Sequence, residues 1–250
     1  MNGKFGSFSW LDRTGGKLAW HNRLTMIAQG VQAKVARKKN IDIGFKVRNI
    51  EVADILPPDS AITREASAMC EDVSAPFLFN HCLRAYFWAR LLDDGNKPFD
   101  DEALFASIML HDLGLTDNYR LKGDTEHCFT VVGARIMETM ALKHRWSDKR
   151  AAIAANAIAL HINISVGNKH SREAQLLRIG SGCDVAGLGI EVLAQDQVDA
   201  VVKKHPRLGL KKKIALPLEI EVNERPCCRM AFMHNKLGFG CLIQGAPFAE

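Results

Sequence analysis

The sequence lacks any apolar run long enough to cross a bilayer. Its opening stretch, MNGKFGSFSWLDRTGGK, also lacks the apolar centre of a secretory signal. Both absences lead us to expect a soluble cytoplasmic chain with no membrane partner. Paired cysteines at metal-binding spacing are missing as well. None of the seven cysteines sits in a CxxC pair, and Cys227 adjoins Cys228. That pattern suits neither a disulfide framework nor a zinc ribbon, so the thiols read as reduced and mostly packed as small apolar groups. Aromatic residues make up only 7% of the chain, and no aromatic platform accompanies the basic runs Arg37-Lys38-Lys39 and Lys211-Lys212-Lys213. With a net charge of only +5, those runs read as solvated faces, and nucleic acid is not an expected partner. No internal repeat or low-complexity tract is present, and strand-like alternation is scarce.

What the sequence does hold is helical periodicity, nearly continuous from Ser60 onward. Residues 1–16 are rich in Gly and Ser and read as irregular. Lys17–Lys39 reads as an amphipathic helix with Leu18, Ile27, Val31 and Val35 among its apolar positions. Residues 41–60 hold a short β-prone stretch, stopped by Pro57-Pro58. Helices are then expected over about 63–72, from about Asn80 to Leu92, from an Asp100 cap to Gly114, and over about 125–140. Others follow from a Ser147 cap to His161, over 173–180, and over 195–204. The tail from Pro217 offers one more before the Gly-rich GFGCLIQGAPFAE. The pattern is that of an all-α bundle. We divide it into an N-terminal extension with one helix, residues 1–56, and a main domain, residues 57–250.

Nine histidines are present, so a lone one says little. The informative feature is an order: His81, then His111-Asp112, then Asp184, each on or at the end of an expected helix. Two imidazoles and two carboxylates suit a divalent ion of borderline hardness. Neighbours on a helix point about 100° apart, so His111 and Asp112 can share one ion only beside the end of their helix. Gly114 supplies that end. The apolar run Leu104–Leu110 would bury the helix, and an Asp at its tip is costly unless paired or bound to metal. Asp184 poses the same puzzle among small and apolar neighbours. The blander reading is a chance His-Asp dipeptide and an Asp that caps a neighbouring helix.

The runs NHCLRAYFWARLL (80–92), ALFASIMLHDLGLTD (103–117) and FTVVGARI (129–136) resemble HD-domain proteins. AIALHINISVG (157–167) and RIGSGCDVAGLG (178–189) are most similar to the cyanamide hydratase branch, as is the closing APFAE. The resemblance covers about Pro57 to the C-terminus and implies an HD-domain helical bundle. It further implies one catalytic divalent metal, zinc first with iron or manganese as alternatives, held by His81, His111, Asp112 and Asp184. His161 matches a later family histidine facing the open side of the metal. Cys82 and Thr130 depart from the branch's pattern, which bears on the pocket wall.

A metal held with one open position acidifies its water. The hydroxide would then attack a small polar substrate, a cyanamide-like nitrile giving urea. Asp112 and His161 are the expected catalytic residues, with His161 handling the proton or stabilising charge. Asn80, Arg84 and Thr116 are candidate substrate contacts. The alternatives are an HD phosphohydrolase acting on nucleotides and a metal-stabilised binding protein without turnover. A second metal would need His127 beside His161. The expected partner is a small molecule, and a homo-oligomer remains open.

Overall fold

The computed structural model describes residues 4–38 and 50–250. Among the described residues the regular structure is helical, as the periodicity predicted, and no strand forms. Two helices open the chain, α1 (Phe8–Thr14) and α2 (Trp20–Lys38). The bundle proper begins with α3 (Ala61–Val73), where Ser60 and Thr63 form a reciprocal capping box. Then come α4 (Pro76–Leu91), with proline in its first turn, and α5 (Asp101–Leu110), capped by Asp100. Next are α6 (Phe129–Lys143), α7 (Asp148–Leu160, capped by Ser147) and α8 (Arg172–Ala186, capped by Ser171). Shorter helices finish the chain: α9 (Gln195–Lys204), α10 (Leu210–Lys213), α11 (Ala215–Glu224), α12 (Arg229–Leu237) and α13 (Phe239–Gln244).

The centre of the bundle is α5. Ala103 to Leu110 are all buried, so this helix has no solvent face and must be enclosed by α3, α4, α6, α7 and α8. Burying side chains such as Leu104, Phe105 and Ile108 stabilises the fold by roughly 1.5–3 kcal/mol each. Two glycines set how closely the helices approach. A Cβ on Gly180 would lie 2.1 Å from the Ala85 carbonyl, so α8 meets α4 nearly backbone to backbone. A Cβ on Gly133 would lie 2.5 Å from the Leu110 carbonyl, which brings α6 against the last turn of α5. Both contacts fall within one or two turns of the histidines and aspartates singled out above.

Several sequence expectations change. The Gly- and Ser-rich opening contains α1, started by the Ser7 hydroxyl and ended by Gly15 in the left-handed conformation. It packs on α6 and α7, and the Phe8 amide donates to Asn156. In α2, Leu18 just ahead and Met26 are buried, but Trp20, Ile27 and Val31 are 75%, 44% and 56% exposed. The apolar stripe therefore does not cover the core; α2 rests on α12 through its other face, with Gly30 against Leu237. The β-prone stretch lies largely outside the described residues; its described end is a single 3₁₀ turn, Val52–Asp54. The expected helix at 125–140 starts only at Phe129, because the Asp124 carboxylate accepts from the Glu126 and His127 amides and holds a turn there. Conversely, α8 runs six residues past the expected Gly180, so Asp184 lies within a helix. The Gly-rich tail is helical in part, as α13.

Candidate metal centre

His81 projects from the middle of α4, whereas His111 and His161 occupy equivalent places, each the residue that closes its helix, α5 or α7. Each closing imidazole donates its Nδ1–H to the carbonyl three residues back: His111 to Ile108 at 2.6 Å and His161 to Ile158 at 2.7 Å. The last carbonyls of a helix have no partner within it, and these rings supply one. His81 Nδ1 instead lies 2.8 Å from Asp184 Oδ2. An ionised carboxylate only accepts, so His81 also carries its proton on Nδ1. With Nδ1 engaged in each ring, all three turn Nε2 toward one another.

Those nitrogens converge. His81 Nε2 and His111 Nε2 are 3.3 Å apart, and Asp112 Oδ2 lies 3.3 Å from His111 Nε2 and 3.6 Å from His81 Nε2. His161 Nε2 is 3.7 Å from the other Asp112 oxygen. Burial, followed by the neighbouring His111, pushes His161 down to about 3, and burial also lowers His111. Neutral His111 and His161 are thus favoured, and the cluster aims imidazole nitrogens and a carboxylate oxygen at one place. A cation would satisfy those atoms together. Donors about 2.0–2.2 Å from a tetrahedral ion lie roughly 3.3–3.6 Å from one another, and the His81–His111–Asp112 triangle has that size. These three residues are the group of metal-ligating side chains that converges among the described residues. Two imidazoles and one carboxylate fit zinc, iron or manganese.

Asp184 lies outside that triangle. It is fully buried, and its two oxygens are already taken. Arg84 donates to it with both arms, Nε to Oδ1 at 2.7 Å and Nη2 to Oδ2 at 2.9 Å. Trp88 Nε1 donates to Oδ1 at 2.8 Å, and Arg207 Nη1 reaches the same oxygen at 3.3 Å. Burial works to raise this carboxyl, but the charge of Arg84 and the bonds from His81 and Arg84 hold it well below the usual carboxylate range. Sequence placed Asp184 among the ligands; the structure places it behind His81, where it orients that ring.

The candidate substrate contacts are likewise occupied elsewhere. Arg84 is bound to Asp184 and to the carbonyls of His205 and Pro206. Asn80 donates to the Pro206 carbonyl, and the Thr116 hydroxyl donates to the Leu113 carbonyl at 2.7 Å. None of the three lines the cavity into which the cluster opens. Cys82 is buried; its neighbour Cys70 and its burial raise the thiol well above the usual range, so it packs. His127, the expected partner of a second metal, pairs with Asp124 at 2.8 Å and lies outside the cluster.

The cavity has a volume of about 1420 Å³ and touches His81, His111, Asp112 and His161. Most of its remaining wall is apolar, contributed by α2, α8, α11 and α12 together with the turns after α5 and α7. Sequence reasoning missed this space, because α2, α8 and α12 are far apart in the chain. It also missed Arg207 and Trp88 as partners of Asp184. An Arg in a Lys-rich loop gives no sign that it will be buried.

No curated protein matches this chain closely enough to serve as a relative. Residues 78–186 do match the family model described as HD domain. That match does not single out the cyanamide hydratase branch. Its span runs from α4 to α8 and contains every residue of the cluster. Helical architecture, a convergent His-His-Asp group and this partial family match, which covers residues 78–186, agree with a divalent-metal site.

Proposed function

We propose that the protein is a metal-dependent enzyme that adds water to an electrophilic group of a small molecule. Residues 57–250 would form its HD domain and residues 1–56 its extension. The observation that carries this is the triangle of His81 Nε2, His111 Nε2 and Asp112 Oδ2, with sides of 3.3, 3.3 and 3.6 Å. These three residues would hold the ion, and Asp184 would fix His81 from behind. When bound, the cation supplies Lewis acidity and makes water a usable nucleophile near neutral pH. His161 faces the cavity with Nε2 beside Asp112, so it would accept a hydrogen bond from the attacking water and guide that water's proton to the substrate atom that gains the electron pair. Burial by apolar neighbours, with the Phe129 ring 5.7 Å away, keeps that nitrogen unprotonated.

The finer reading, hydration of a cyanamide-like nitrile to urea, rests on the resemblance of residues 157–167 and 178–189 to that branch. Its test is urea release from cyanamide by protein carrying one equivalent of zinc. No urea from such a preparation discards the nitrile and leaves the metal reading standing. Absence of any tightly held metal discards both. The phosphohydrolase alternative is less well supported by the arginines. Arg84 and Arg207 bind Asp184, Arg178 binds the carbonyls of Asn163 and Ile164, and Arg229 binds Asn163, Thr130 and Ala159. A phosphate-release screen with Mn²⁺ or Co²⁺ tests it.

A further inference from the structure

The cavity is far larger than a nitrile of three heavy atoms requires. Pockets that enclose drug-sized ligands occupy about 300–1,000 Å³, and this one reaches about 1420 Å³. Its wall away from the metal centre is built from apolar side chains such as Leu218, Met230, Met233, Val185 and Ile179. Water gains little from such a lining, whereas an apolar body removes it from solvent. Methionines on α12 suit a surface that adapts to varied apolar shapes.

The rim has a different character. Where α2 and α12 border the cavity, the exposed side chains include Arg23, Lys34 and Lys236. No ion pair to any of the three occurs among the described residues, and neither helix contains an Asp or Glu. The other carboxylates along the cavity are Asp94, tied to Arg172, and Glu191 beyond the end of α8. Three cations that lack an ion pair among the described residues, set beside an apolar trough, match a ligand that is apolar for most of its length and acidic at one place.

We propose that the substrate is a bulky, mainly apolar acid: an apolar body of drug size or larger bearing one carboxylate, sulfonate or phosphate. The body lies along the α8–α12 wall, and the acidic group meets Arg23, Lys34 and Lys236. The group that reacts reaches the His81–His111–Asp112 centre; this rests on the metal-dependent addition of water proposed above and replaces cyanamide as its substrate.

The test uses the full chain, folded by circular dichroism, and two fluorescent probes with nearly the same apolar body. 8-Anilinonaphthalene-1-sulfonate carries an anion; N-phenyl-1-naphthylamine does not. The expected result is one saturable site for each, with the sulfonate bound about five- to tenfold more tightly. Ile27→Trp, at an exposed position where the core is not at risk, and Met233→Trp inside should each weaken both probes about tenfold or more. Arg23→Glu with Lys34→Glu and Lys236→Glu should weaken the sulfonate alone. Binding that never saturates, or that ignores both Trp variants, overturns the proposal. Equal response of the two probes to the charge reversals overturns its acidic part. Metal content, measured separately, distinguishes the two failures: one equivalent of metal with no probe site sinks this inference alone, and a probe site without metal sinks only the function proposed above.

Discussion

Asp112 and Asp184 are two buried carboxylates on either side of one imidazole, and their surroundings are opposite. On the far side of His81, Asp184 is enclosed by Arg84, Arg207 and Trp88, so its charge is neutralised within the protein. On the near side Asp112 meets only His111, His81 and His161, and receives no guanidinium and no backbone N–H among the described residues. A buried charge needs a partner. The protein supplies one for Asp184 and leaves Asp112 for something that enters from the cavity. The contrast separates scaffold from site within a few ångströms.

The comparison can be broken most forcefully from the sealed side. Arg84→Ala should destabilise the fold by about 3–5 kcal/mol, because it strands the Asp184 charge; urea denaturation measures this, and a loss under 1 kcal/mol would mean that Asp184 is not held as described. On the open side, His111→Ala should leave the fold standing but weaken metal binding by at least about a hundredfold, read by chelator competition. Asp184→Asn tests the position of that residue behind His81. The loss in metal affinity should be smaller than for His111→Ala, about tenfold to a hundredfold, and an equal loss would make Asp184 a direct ligand.

Acid sharpens the same contrast. His161, buried and neutral with its pKa lowered to about 3, resists protonation in the folded chain but accepts a proton near 6.5 once unfolded. Its contribution is therefore present above about pH 6.5 and is lost as pH falls toward 3, by about 1 kcal/mol per pH unit in metal-free protein. His205, lowered to about 4 by burial and by Lys204, acts in the same direction. Thermal melts across pH 4–7 should show this slope, and His161→Phe should flatten it. The smallest effect expected is at Asp112 itself. Burial works to raise the Asp112 carboxyl, but the neighbouring imidazoles hold it below its usual range. In metal-free protein Asp112→Asn should therefore change stability by less than about 1 kcal/mol, while abolishing tight metal binding.

Sequence made much of this legible because several determinants are local. Asp100 and Ser147 lie at the helix starts they were expected to cap, and α9 has the expected bounds. His111-Asp112 behind a wholly apolar helix announced a buried polar cluster, and that cluster forms. What stayed hidden depends on distance along the chain. Arg207 meets Asp184 from a loop 23 residues on, and Arg84 does so from 100 residues back. Sequence order cannot say which acid these cations will meet. The helix at α2 was legible, but the burial of its stripe was not, for a related reason: amphipathic spacing shows that a face is apolar, not what covers it.

The matching histidines that end α5 and α7 have a consequence for which ion is admitted. Because Ile108 holds the His111 ring by its Nδ1 proton, as Ile158 holds His161 beside it, the direction of the His111 donor is set before any ion arrives. Calcium, which prefers oxygen ligands at about 2.3–2.6 Å and six or more of them, would find two imidazoles and one carboxylate there, with the His111 donor tied to its helix end, whereas an ion of zinc's size would suit both the donors and their spacing.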